Sequence, residues 1–270
     1  MILPPTSRVR IEIPTGVASA SRCRVVAKAV CDERFGVSAR VIKSDDHTAV
    51  LAGEAAGYGV VVKALALDRL KDRVRAVVRL SRHWRQARGS ETVRDAGVDA
   101  PPVLAIVRGV DPSGHRVEAL IMDRVDGPTL LRAASDRALS SKGQRLLLDR
   151  IGLGVGRLAR QGVFNRDHKP SNLIVGSDEA GDPLLVLIDC ADIRRAATSR
   201  ALVGMLSKLL IEANGTGVSV SVREQVRVAR AAQREAECDE PLGELLGQVR
   251  RVVEAHGDPR PKVDPLAFEV

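Results

Sequence analysis

The chain has 270 residues, 44% of them apolar but only 2% aromatic, so a core large enough for one sizeable domain or two small lobes must be built from Val, Leu, Ile and Ala. Its 42 Lys and Arg against 34 Asp and Glu leave a net charge of +8, carried mostly by Arg, which favours phosphate or phosphosugar partners; no nucleic-acid partner is expected, because no binding motif and no aromatic residues accompany the basic ones. No run approaches the roughly 18 apolar residues of a membrane span, Met1 to Pro5 does not read as a secretory leader, and Cys23, Cys31, Cys190 and Cys238 lack metal-ligand spacing, so a cytoplasmic location and buried free thiols are expected.

Residues 1–36 read as an N-terminal extension or extra strands. Arg8 to Ile13 alternates polar and apolar residues, as an edge strand does, and Pro14 to Ser21 reads as a loop. Two short strands follow, Ala39 to Lys43 and Thr48 to Ala52, around the polar turn Ser44 to His47. The backbone N–H and hydroxyl groups of Ser44 to Thr48 suit a phosphate. A Gly-rich connection through Gly53, Gly57 and Gly59 leads to the apolar strand Val60 to Leu65, which carries a single lysine, Lys63. Asp68 to Asp95 predicts one or two helices with a narrow face of Val74, Val77, Val78 and Ser81 under a coat of Arg and Lys. Such a coat is either a solvated basic face or a docking surface for an anionic acceptor. Beyond Gly97 and Asp99-Ala100-Pro101-Pro102, strands Val103 to Val107 and Val117 to Met122 are joined by the turn Asp111 to Gly114.

The second half turns helical. Leu147, Ile151, Gly154 or Val155, and Leu158 repeat at helical spacing up to Gly162. Gly152, Gly154 and Gly156 have no strand before them, so they predict close helix packing rather than a dinucleotide site. Phe164 to Asn172 is a polar loop. It is followed by strand Leu173 to Val175, turn Gly176 to Pro183, strand Leu184 to Ile188 and a carboxylate, Asp189. Helices are then expected over Arg200 to Glu212, Val222 to Glu237 and Glu244 to His256, the second opened by Ser221 and Glu224 at capping-box spacing. The tail from Gly257 reads as irregular.

The polar loop carries the chemistry. Phosphoryl transfer asks a protein for a carboxylate beside the acceptor hydroxyl, cations on the moving phosphate and hard oxygen ligands for magnesium. Asp167 suits the first task, Lys169 the second, and Asn172 with Asp189 the third. Asp, Lys, Pro, Ser and Asn are also ordinary turn residues. The strand, turn, strand and terminal carboxylate that follow favour the catalytic reading, because this is the hairpin that kinases place after the loop HRDxxxxN.

From about Ala39 to Glu212 the chain resembles the bacterial lipopolysaccharide kinase family, whose members phosphorylate Kdo or heptose of the inner core. The resemblance is carried by Val60 to Lys63, Trp84 to Pro102, Met122 to Leu130, Asn165 to Asn172 and Ile188-Asp189. It implies an α+β, protein-kinase-like two-lobed fold, with a β-rich N-lobe over 37–125, a helical C-lobe over 126–257 and an irregular tail over 258–270. It also implies ATP and Mg2+ as cofactors. Lys63 would contact the α- and β-phosphates and Met122 would be the gatekeeper. Asp123, Arg124, Val125 and Ile174 would surround the adenine, Asp167 and Lys169 would be catalytic, and Asn172 and Asp189 would hold the metal. The implied acceptor is an anionic glycolipid or sugar, with peripheral contact at the inner-membrane surface. Three departures stand out: Asn165 in place of the loop histidine, Cys190-Ala191 in place of Phe-Gly, and Gln86 where a glutamate should pair with Lys63. A protein or small-molecule kinase of the same fold, and a nucleotide-binding pseudokinase with a scaffolding role, therefore stay open as alternatives. The absence of a segment ending in Ala-Pro-Glu counts against an extended-peptide substrate.

Overall fold

The computed structural model describes residues 3–4, 9–15, 19–136, 140–178, 180–260 and 265–267. Arg8, residues 16–18 of the expected loop, and residues 261–264 and 268–270 of the expected tail lie outside them. The chain divides into two compact units, Met1–Glu91 with Pro101–Arg124, and Thr92–Ala100 with Val125–Val270.

The first unit is built on one antiparallel sheet. Its strands are β1 (Val9–Glu12), β2 (Arg40–Ser44), β3 (Thr48–Ala55), β4 (Tyr58–Ala66), β5 (Val103–Val110) and β6 (Arg116–Asp123), in the order β1-β5-β6-β4-β3-β2. Helix α1 (Ala20–Val30) covers one face, where Cys23, Val26, Ala27 and Val30 pack with Val60, Val62, Val107 and Ile121. Two further helices, α3 (Leu70–Val77) and α4 (Arg82–Asp95), follow β4, and Trp84 and Ala87 of α4 pack with Ile106, Leu120 and Met122 on the other face. Burial on both faces is why β5 and β6 read as nearly unbroken apolar runs. Alternation then decides which β4 residues share the α4 face. Val61 joins the Trp84 cluster, and Lys63, two residues on, points the same way.

The glycines before Lys63 do not form a loop. Gly53 lies inside β3 opposite Val60, and a Cβ there would meet the Phe35 ring of α2 (Glu33–Ser38) at 2.9 Å. The turn itself is Ala56-Gly57, both with positive φ (52° and 78°), as a two-residue hairpin of the primed type requires. Helix α1 was not anticipated. Its signal was present in Cys23, Val26, Ala27 and Val30, which recur at helical spacing behind the N-cap Ser19.

In the second unit the long helix α6 (Ser141–Arg160) runs through the core, between α5 (Leu130–Asp136) before it and α7 (Thr198–Gly215), α8 (Val222–Glu235) and α9 (Leu242–Ala255) after it. Its glycines do pack closely. A Cβ on Gly152 would lie 2.6 Å from both Ala231 Cβ and Val228 O of α8, and one on Gly156 would lie 2.6 Å from Ala232 O, whereas Gly154 faces open space. The capping box of Ser221 and Glu224 is formed at the start of α8. Two small pairs complete the unit: β7 (Val163–Asn165) with β10 (Ile193–Arg195), and β8 (Leu173–Ser177) with β9 (Pro183–Leu187).

Candidate active site

Asn165 ends β7 fully buried, and its two amide atoms do different work. Its Oδ1 accepts from the Asp167 backbone N–H (3.0 Å) while its Nδ2 donates to the Asp189 carbonyl (3.0 Å). Asn165 is therefore the residue that joins the Asp167 loop to the segment after β9. Asp167 is held at both oxygens: Oδ1 lies 2.6 Å from Lys169 Nζ, and Oδ2 accepts from Asn172 Nδ2 at 3.2 Å. Asn172 Nδ2 also donates to the Asp167 carbonyl (2.9 Å), an atom that can only accept, so the amide is oriented and its oxygen is turned away as a hard donor. The Ile188 N–H donates to the Asn172 carbonyl (2.9 Å), and Asp189 Oδ1 accepts from the Ala191 N–H (3.2 Å), which carries the second carboxylate into the same region. Side-chain exposures of 39% for Lys169 and 30% for Asp167 leave the pair open to an acceptor.

Two residues overlooked in the sequence bear on this loop, one holding it from a distance and one buried within it. Glu212 of α7 accepts from the Ser171 N–H and hydroxyl, both at 2.7 Å, clamping the 3-10 turn Pro170–Asn172. A separation of 41 residues left no local signal for that contact. His168 is buried, and burial pushes its pKa from 6.5 down to about 4. It stays neutral at physiological pH, which leaves the charge of the loop to Arg166, Asp167 and Lys169.

Val125 and Ile174 also belong to the second unit. Ile174 bridges Thr129, and the Val175 N–H donates to Pro128 O (2.9 Å). Gly127, at φ 134°, lets this segment lie against Val175 O, where a Cβ would collide.

Lys63, Met122, Asp123 and Arg124 lie in the first unit. Lys63 is paired with Leu120 in the sheet, and Met122 is buried among Trp84, Ala87, Val103 and Ile106. The Asp123 carboxylate is bound by Arg22 of α1 (3.0 Å), whose guanidinium stacks on Tyr58 at 4.2 Å; burial raises the Asp123 pKa and Arg22 opposes that rise. Arg124 N–H donates to Gly59 O (3.0 Å). Gln86 is buried on α4 and donates to Ser90 Oγ (3.2 Å). Three residues earlier on the same helix, His83 Nδ1 lies 3.2 Å from Glu118 Oε1 of β6, both side chains buried.

The turn before β3 does not fit its expected role. Asp45 accepts from the N–H groups of His47 (2.9 Å) and Thr48 (2.7 Å) and from the Thr48 hydroxyl (2.7 Å). Three of the donors expected to meet phosphate are engaged by a carboxylate, whose pKa they pull down to about 2, the Thr48 hydroxyl most.

No family model matches the chain, and no curated protein matches it in sequence. Among solved structures, one described as WaaP in complex with acyl carrier protein is similar over 91% of this chain and 98% of that one, at a TM-score of 0.56 and 20% identity. The chain has a protein-kinase-like, two-lobed fold. At this identity the likeness is one of fold. Lys63 lies on β4, and β8 and β9 form the hairpin between the Asp167 loop and Asp189. Among the described residues no helix is long and apolar enough to cross a membrane.

Proposed function

We propose that the protein is a magnesium-dependent kinase that moves the γ-phosphate of ATP to a sugar hydroxyl, the acceptor being Kdo or heptose of a lipopolysaccharide inner core met at the membrane surface. The observation that carries this reading is the loop in which Asp167 is held by Lys169 and Asn172 while Asn165 ties it to Asp189. Asp167 takes the proton of the acceptor hydroxyl as the oxygen attacks phosphorus. Lys169, beside it, offsets the charge on the transferring group. An amide oxygen from Asn172 and a carboxylate from Asp189 are hard donors that suit Mg2+, which when bound neutralises the phosphate oxygens. Lys63 is assigned to the α- and β-phosphates, with adenine against Met122, the backbone of Asp123, Arg124 and Val125, and Ile174.

WaaP was solved with acyl carrier protein. In this chain an apolar cavity of about 430 Å³ lies among Leu131, Leu147, Leu209, Val228 and Val249, a size that accepts small ligands, so the proposal includes an acylated partner. A nucleotide-binding pseudokinase is the second reading, favoured by Gln86 and by the Asp45 turn.

The test is transfer of labelled γ-phosphate into a bacterial extract with Mg2+, wild type against Asp167→Asn, with glycolipid, protein and small molecules separated. Glycolipid label that falls at least about 100-fold in the variant supports the proposal. Label in protein or small molecules overturns the acceptor, and no label in an extract supplemented with inner-core glycolipid favours the pseudokinase.

A further inference from the structure

Helix α3 turns its apolar side to solvent. Around a helix of 3.6 residues per turn, Leu70, Val74, Val77 and Val78 fall within an arc of about 100°. They are 74%, 52%, 70% and 52% exposed, and Leu80 just beyond is 56% exposed. Ala76 occupies the opposite side and is buried, with its carbonyl accepting from Arg108 Nη1 of β5 at 2.8 Å. A surface helix ordinarily presents its apolar stripe to the core, and this one presents its smallest residue instead. Exposed apolar residues scattered singly are unremarkable; five adjoining ones mark an interaction surface.

The outward orientation is locked at the end of the helix. Arg79 takes a left-handed conformation (φ 57°), its N–H donates to Ala76 O (3.2 Å) and the Leu80 N–H donates to Arg75 O (2.7 Å), a Schellman closure with arginine at the position that favours glycine. The arginine side chain explains the exception. It pairs with Glu12 at 3.1 Å and lies over the Trp84 ring at 4.8 Å, pinning the end of α3 to the sheet and to α4.

The charge around the stripe names the occupant. From Arg69 to Arg82 six residues are basic and one, Asp72, is acidic. Lys71 and Arg75 border the stripe on one edge and Arg73 on the other. We propose that α3 docks the protein on an anionic lipid bilayer, lying in the surface with Leu70, Val74, Val77, Val78 and Leu80 in the acyl boundary and Lys71 and Arg75 at the lipid phosphates, while the Arg73 guanidinium stays on the Leu67 and Asp68 carbonyls. A second copy of the chain would bring the same cations face to face, so charge favours the bilayer. The inference deepens the membrane-surface setting of the proposed function and rests on that reading only for its biological context, since vesicle binding needs neither nucleotide nor transfer.

The test is co-sedimentation of the full chain with vesicles of phosphatidylcholine alone and of phosphatidylcholine with phosphatidylglycerol. Wild type is expected to bind the anionic vesicles, to ignore the neutral ones and to be released by salt. Val74→Ser with Val77→Ser lowers the partition coefficient at least about 10-fold, and Lys71→Gln with Arg75→Gln lowers it roughly 30-fold. Both double variants keep the wild-type melting temperature, because the altered side chains are solvent-facing. Wild type that stays in solution with anionic vesicles overturns the proposal, as does a serine variant that binds like wild type. A wild-type dimer that the serine variant dissolves, without vesicle binding, assigns the surface to a second copy and overturns it too.

Discussion

Replacing Asn165 with alanine should test the physical basis of the active-site loop without reference to any substrate. The side chain is fully buried and satisfies one donor, the Asp167 N–H, and one acceptor, the Asp189 carbonyl. Alanine orphans both, and each buried unsatisfied group costs about 1–3 kcal/mol, so a loss of about 2–6 kcal/mol follows. For a chain of this size each kcal/mol shifts the midpoint by about 2–4 °C, giving a fall of about 4–24 °C. Asn165→Asp keeps the acceptor but sets a carboxylate against the Asp189 carbonyl, and about half of the loss is expected. Far-ultraviolet circular dichroism is the suitable probe, because the only tryptophan, Trp84, lies in the first unit and the helices of the second dominate the signal. Turnover should fall at least about 100-fold, since the carriers of both carboxylates lose their common anchor. An Asn165→Ala protein that melts within about 2 °C of wild type would show that the two hydrogen bonds do not hold the loop.

The α6 glycines give predictions of opposite sign. Gly152→Ala should destabilise by about 1–3 kcal/mol in urea unfolding because its Cβ meets Ala231 and the Val228 carbonyl, while Gly154→Ala, facing open space, should stabilise by up to about 1 kcal/mol; equal effects would refute the packing account. His168 has a folded pKa of about 4 against 6.5 when free, so the unfolded chain takes up the extra proton between these values and stability falls as pH drops through that window. The loss for this group at pH 5 relative to pH 7 is about 2 kcal/mol, and His168→Leu should remove it; an unchanged pH dependence in the variant would count against the burial. Asp45, held down to about 2, supports its turn above the ordinary carboxylate range and loses that support as pH falls towards 2. Protection factors of the His47 and Thr48 amides should therefore be high at neutral pH in wild type, drop as pH falls from about 4 towards 2, and be low throughout in Asp45→Ala; low protection in neutral wild type would refute the turn geometry.

The catalytic loop was legible because its parts are close in sequence. Asp167, Lys169 and Asn172 fall within six residues, and backbone turns bring them together locally (Lys169 N–H to Asp167 O and Asn172 N–H to Lys169 O, both 2.9 Å), although Glu212 and Ile188 then hold the turn from a distance. Asn165 was legible only as a departure from the kinase pattern, since its value lies in reaching Asp189, 24 residues on. Gln86 raised a doubt about how α4 is placed. The structure sets beside it a buried contact, His83 with Glu118, that joins helix to sheet with the carboxylate on the strand. The Asp45 turn was misread because a polar turn reveals its donors and not who uses them.

What the sequence determined by itself was local: the strands from Val60 and Val103, the helical repeat of α6 with its close-packing glycines, the capping box of α8 and the loop from Asp167 to Asn172. Periodicity, turn chemistry and capping act over a few residues, so they can be read without the fold. What only the tertiary structure decided was which side of an element is covered. The face of Val74, Val77 and Val78 was legible, yet nothing in those residues says whether a neighbour lies over them, and in the structure each is more than half exposed, whereas Ser81 of the same expected face is buried. Burial is a property of what packs against a surface, and that is set by residues far away in the chain, as Glu12 sets it for Arg79 and Arg108 for Ala76 at the end of this helix.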